Sequence, residues 1–189
     1  MSDGAPRIAP LEPPFPDWFA EAMARTMPPG MPPLRLFTTM ATSERAWRKF
    51  AGGSLLDRGP LSLRQREIVI LRTTARTGCE CEWGIHVAGF AARAGLDEAA
   101  IAATVHGGPG SPSWSEGEAG LVAAVDALLD RKRLDDREFA ALAEDLAPEA
   151  LLEVIQLVGF YHMVALVCGG LALPLESGAP RFPPAPSGD

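Results

Sequence analysis

The chain has 189 residues, of which 47% are hydrophobic, and 17 basic against 24 acidic side chains give it a formal charge of −7. That length fits one domain, at most two, with enough core to fold without disulfide or metal staples. The acidic balance repels phosphate backbones and argues against a nucleic-acid partner. Three cysteines, two of them one residue apart, are no secreted disulfide framework and point to a reducing, cytoplasmic setting.

In chain order, no basic segment followed by an apolar one opens the sequence, so no signal peptide is expected. Residues 1–16 are proline-rich and should form an irregular arm. Asp17 can cap a short helix running to Arg25, broken by the Pro/Gly-rich stretch from Met27 to Pro33. One helix is expected from Leu34 to Phe50. Ser62 and Gln65 fit a capping box, opening a helix to about Thr77 that Gly78 interrupts. A second segment runs from Cys79 or Glu80 to Arg93 and ends at Gly95. Asp97 starts the next helix, stopped at Gly107-Gly108-Pro109-Gly110. Ser113 and Glu116 fit a capping box for a helix to about Asp130, and Asp135 or Asp136 caps another to about Leu146. Pro148 opens a long apolar helix. It carries Glu153, Gln156 and His162 and lacks a flanking basic cluster, so it reads as a buried core helix and no membrane is expected. Ser177 to Asp189 form a Pro/Gly/Ser tail that frays or wraps on a neighbour. No stretch alternates with period two. The fold class is all-α, with about seven to eight helices.

Chemistry concentrates between Glu67 and His86. On a helix, Glu82 and His86 lie four apart and share a face. Cys79, near a helix start, gains thiolate character from free amides, while the carboxylates of Glu80 and Glu82 oppose it. His86 can move a proton near neutral pH, with Glu82 orienting it and Glu67 reaching it from the preceding helix. In regular helix Cys81 lies about 200° around from Cys79, on the far side. A metal site from Glu67, Glu82, His86 and a thiolate matches no zinc spacing, so neither metal nor cofactor is expected. Cys168 reads as a core hydrophobe, His106 as a helix C-terminal cation, and His162 as a histidine of the core helix that could also line a pocket.

Glu67, eleven residues, Cys79 and a final His86 resemble the carboxymuconolactone decarboxylase and alkylhydroperoxidase D (AhpD) superfamily. The stretch Gly78-Cys79-Glu80-Cys81-Glu82-Trp83-Gly84-Ile85-His86 is similar to its Cys-Glu-Tyr-Glu-Trp-x-x-His branch. Trp114-Ser115-x-Gly117-Glu118 and Leu157-Val158-Gly159-Phe160-Tyr161 look like the same branch. The resemblance implies an AhpD-like helical bundle with two long antiparallel signature helices. It also implies a homo-oligomer (dimer, trimer or hexamer) and a small-molecule substrate. The domain should span 34–176, between an arm (1–33) and a tail (177–189).

The family's thiol members are peroxidases in which one cysteine attacks a hydroperoxide and a second resolves the sulfenic acid. Here the second cysteine of the family's Cys-x-x-Cys, the attacking one, is Glu82. On this reading Cys79 is the nucleophile of a peroxiredoxin-type antioxidant enzyme, with Glu67, Glu82 and His86 relaying the proton. Cys81 or an external thiol reductant would resolve it. An alternative is a cofactor-independent lyase or isomerase on a small carboxylated lactone, with Glu82 and His86 as acid–base pair. Arg66 or Arg72 would hold the carboxylate, and Trp83 could contact substrate. A third alternative is a non-enzymatic helical oligomer.

Overall fold

The computed structural model describes residues 5–185. Among them the protein is all-helical. The helices are α1 (Asp17–Thr26), α2 (Arg35–Met40), α3 (Glu44–Ala51), α4 (Leu63–Arg76), α5 (Glu80–His86), α6 (Glu98–His106), α7 (Glu116–Arg131), α8 (Asp136–Asp145) and α9 (Pro148–Leu171). A π-helical segment, Val87–Ala91, continues α5.

α4 is the centre of the bundle and packs against α5, α6, α7 and α9. Its residues Arg66 to Thr74 are all buried, as expected of a helix surrounded by neighbours rather than one with a solvent face. The expected capping box forms: the Ser62 hydroxyl accepts from the Gln65 amide, and the Gln65 side chain accepts from the Ser62 amide. Buried Thr73 and Thr74 donate back to the Val69 and Ile70 carbonyls, which satisfies their hydroxyls inside the helix.

Among the ion pairs that tie α4 to α7 are Arg64 with Glu118, Arg72 with Asp126, and Arg76 with Asp130. Each spans 54 residues, so the register is constant and the two helices run parallel. By contrast α4 and α5 form an antiparallel hairpin. Gly78 turns the chain at φ +69°, a left-handed conformation that favours glycine, and Glu67 near the start of α4 meets His86 at the end of α5. Two apolar clusters flank α4. One joins α1–α3, α7 and α9, with Phe19, Trp47 and Phe50 in edge or tilted ring contacts. The other joins α5, α6 and the loop around Trp114.

Several expectations are corrected. Asp17 is the first residue of α1 rather than its cap, which is Pro16. The helix expected from Leu34 to Phe50 is two helices, because Ser43 accepts from the Ala46 amide and starts α3 anew. The second signature helix is short: α5 has seven residues before the π-helical segment takes over. The α7 capping box is Ser115 with Glu118, two residues later than Ser113 with Glu116. Trp114 is pinned in the loop, its indole N–H donating to the Gly108 carbonyl at 3.2 Å, so the helix can start only after it. His106 bonds the Pro183 carbonyl at 2.7 Å instead of its own helix end.

The tail does not fray over its described part. The Phe182 amide donates to Glu80 at 2.8 Å, and the Phe182 ring meets Trp83 edge-on at 5.2 Å. A Cβ on Gly84 would collide with the Pro180 carbonyl oxygen, so this glycine is what lets the tail lie on α5. The N-terminal arm docks as well, with Arg7 donating to the Gly170 carbonyl at the end of α9.

α9 is long and apolar enough to cross a membrane. In the bundle it is buried on one face only, through Leu151, Val154, Leu157, Val158, Tyr161, Val164 and Cys168. Leu152, Ile155 and Leu166 are exposed, so this core helix keeps a second apolar face outside the bundle. His162 lines a surface cleft of about 330 Å³ with Arg76, Thr77 and Asp130, rather than the core.

Candidate functional site

The α4–α5 hairpin assembles two neighbouring groups. The first is a buried polar chain. Glu67 is fully enclosed and His86 nearly so. One Glu67 oxygen receives Nδ1 of His86 at 2.7 Å, and the other receives the Arg66 guanidinium at 3.0 Å. Nε2 of His86 faces Glu82 at 3.4 Å, the i,i+4 pairing read from the sequence. The ring stacks on Phe90 (5.2 Å between centroids) and meets Tyr161 edge-on at 5.1 Å.

Burial works against an imidazolium here, but hydrogen bonds and charge from Glu67 and Glu82 outweigh it and raise the His86 pKa to about 9. His86 is therefore a protonated, positioned acid at neutral pH. The Tyr161 hydroxyl is pushed well above its ordinary range, first by burial and then by the Glu82 and Glu67 charges, with Arg66 opposing. It remains a neutral phenol.

The second group is sulfur. Cys79 occupies the N-cap position of α5, with non-helical backbone at φ −87°, ψ 71°. Because that residue is outside the helix, its side chain does not take the helical direction that would set it opposite Cys81. The two Sγ atoms approach to 3.6 Å. This corrects the expectation that Cys81 lies on the far side. Cys168 of α9 completes the group, with all three sulfurs within 4.8 Å of one another. All three are free thiols.

The cluster shares its protons unevenly. Cys81, half-buried, is pulled down to about 3 by hydrogen bonds from Cys168 and Cys79, against burial, with the Glu82 and Cys81 backbone N–H groups adding to it. Cys79 is pushed up to about 12. A hydrogen bond from Cys168 acts against this, but hydrogen bonding to Cys81, burial and the Cys81 charge prevail. Cys168 goes up through hydrogen bonding to its two partners and through burial. The direction is physically plain: the first proton leaves easily because a neighbouring thiol at 3.6 Å solvates the anion, and the next must leave beside a charge. Cys81, the least buried of the three residues, is the one whose thiol is shifted down.

Two residues expected near substrate are occupied elsewhere. Arg72 makes a bidentate pair with Asp126 at 2.8 Å and donates to the Thr104 and Gly107 carbonyls, which engages four of its N–H groups. It has no fork left for a ligand carboxylate. Trp83 is 1% exposed, with its indole N–H on the Thr104 hydroxyl. Arg66 also donates to the Leu56 carbonyl and lies over the Phe90 ring. Cys168 and Tyr161 were not singled out for the site by sequence. Their signal was present, since Leu157, Tyr161, Val164 and Cys168 recur at helical spacing on the buried face of α9.

Residues 41–108 match the carboxymuconolactone decarboxylase family. Among solved structures, a peroxidase-related protein from Silicibacter sp. TM1040 is similar at TM-score 0.77 and 16% identity, covering 95% of this chain and 97% of that one. The alkylhydroperoxidase AhpD core of a peroxidase-related protein from Ralstonia eutropha JMP134 is similar at TM-score 0.74 and 13% identity, covering 93% and 95%. The debrominase Bmp8 is similar at TM-score 0.67 and 17% identity, covering 89% and 91%. No curated protein matches the chain.

Proposed function

We propose that this chain, a member of the carboxymuconolactone decarboxylase and AhpD superfamily, is a thiol-dependent oxidoreductase of the peroxidase type. The observation that carries the reading is the 3.6 Å contact between Cys79 and Cys81 on the helix that also bears His86. The Cys81 thiolate attacks the outer oxygen of a hydroperoxide, the O–O bond breaks, and Cys81 becomes a sulfenic acid. The departing alkoxide or hydroxide takes a proton from the His86 imidazolium, which Glu67 and Glu82 hold in place. The neighbouring Cys79 thiol then attacks the sulfenic sulfur, releasing water and forming a disulfide. An external thiol reductant restores both cysteines.

This exchanges the roles expected from the sequence, where the loss of the motif's attacking cysteine left Cys79 as nucleophile. The half-exposed, anion-bearing sulfur is Cys81, whereas Cys79 is 6% exposed and holds its proton. The relative that is a debrominase shows that one fold serves more than one chemistry. A lyase reading draws on the same imidazolium but loses Arg72 as its carboxylate anchor.

The test is hydroperoxide consumption with a small dithiol as reductant. Cys81→Ser should lose about 100-fold or more, while Cys79→Ser should complete a first turnover and then stall. Full turnover in Cys81→Ser would exclude the assignment. His86→Gln should lower the rate of the first step by about 100-fold, the ordinary worth of a positioned acid.

A further inference from the structure

Every cysteine of this chain comes to one place. Cys79 and Cys81 arrive on the start of α5, and Cys168 arrives on α9, far away in sequence. We propose that Cys79, Cys81 and Cys168 form a tris-thiolate site for one soft, thiophilic d10 metal ion, best matched by Cu(I).

The spacing is that of ligands around an ion. Metal–thiolate bonds of about 2.3 Å place three sulfurs about 4.0 Å apart in a planar trigonal site and about 3.8 Å apart in a tetrahedral one. The sulfurs here lie between the 3.6 Å of the Cys79–Cys81 pair and the 4.8 Å limit of the trio. Closing a disulfide would require a further approach of about 1.5 Å, to roughly 2.05 Å. Filling the centre with an ion requires only small rotations. Three converging thiols can thus take an ion without moving α9 against α5.

The donor chemistry sets the metal. Three sulfurs and no carboxylate or imidazole make up the group among the described residues. Thiolates select soft ions, and a three-coordinate all-sulfur site suits Cu(I), whereas Zn(II) in structural sites takes a fourth ligand. Cys79 and Cys168 are buried and Cys81 is half-buried, so the ion would be shielded but reachable from the Cys81 side. Each coordinating thiol gives up its proton on binding, and no oxidation or reduction of the protein is involved.

The experiment titrates the reduced, full-length protein with Cu(I) under anaerobic conditions against a chromophoric Cu(I) chelator. No peroxide is present, so the outcome is independent of the peroxidase reading. One Cu(I) per chain is expected, and X-ray absorption should report three sulfur neighbours. Cys168→Ser should bind at least 10-fold more weakly, and Zn(II) should be displaced by Cu(I). Binding no tighter than that of the Cys79→Ser/Cys81→Ser/Cys168→Ser protein would overturn the proposal. So would a Cys168→Ser affinity equal to wild type. If Cys168→Ser does not fold, the absorption measurement on the wild-type protein decides: fewer than three sulfurs overturns the site.

Discussion

His86 sits between two carboxylates, and that arrangement links its charge to stability. Its pKa of about 9 in the folded chain exceeds the ordinary 6.5, so the folded state holds the proton more tightly than the unfolded one. The resulting stabilisation is complete below pH 6.5 and is lost as pH rises through about 9. Denaturant unfolding at a series of pH values should show the wild type weakening across that window. His86→Gln should be flatter there and, at pH 6, less stable by about 3 kcal/mol, because Glu67 is left with a buried charge that only Arg66 answers. A parallel pH dependence in both proteins would remove the imidazolium from the account. The sulfur cluster makes a second claim. Alkylation of Cys81 should be insensitive to pH around neutrality in the wild type. With Cys79 and Cys168 both changed to Ala, the inflection should move up towards the free-thiol value of about 8.5, because the two donors that lower it are gone.

At the scale of elements, α4 is the part on which the site depends. Its N-terminus was readable, because a capping box is a local contest between a side chain and a backbone amide, settled within four residues. Its C-terminal turn was readable for the same reason, since Gly78 is the residue that takes positive φ without strain. The break at Ser43 and the two-residue slip to Ser115 were not. At Ser43 a local cap interrupts a stretch whose periodicity reads as one helix, and at Ser115 two capping registers compete and the Trp114 indole bond to the Gly108 carbonyl fixes the later one. Arg72 shows how strongly α4 is held to α7. Arg72→Met should cost about 3 kcal/mol in thermal or denaturant unfolding, since two carbonyls lose their partner and Asp126 keeps only the longer Arg76 contact at 3.5 Å. A loss under 1 kcal/mol would mean that water replaces the guanidinium. Gly84→Val should detach the tail from α5, with hydrogen exchange accelerating at the Phe182 amide.

Across the whole molecule, the outer face of α9 is the feature a lone chain does not explain. Leu152, Ile155, Gly159 and Leu166 recur within a narrow stripe at 100° per residue, all exposed. We propose that the expected homo-oligomer uses this stripe, where the absence of large side chains at Gly159 permits close approach. Leu166→Glu should shift the mass measured by light scattering towards a single chain. An unchanged mass would place the interface elsewhere.

The sequence alone determined the helical class, the family resemblance and the i,i+4 pairing of Glu82 with His86. Each depends on periodicity or on spacing within one hairpin, and helical geometry converts such spacing into position. The tertiary structure alone decided the sulfur chemistry. Whether Cys81 meets Cys79 depends on one residue's backbone leaving the helix, and whether Cys168 joins them depends on how α9 docks against α4 and α5. Neither is written in local spacing, because both are set by the packing of side chains remote in the chain.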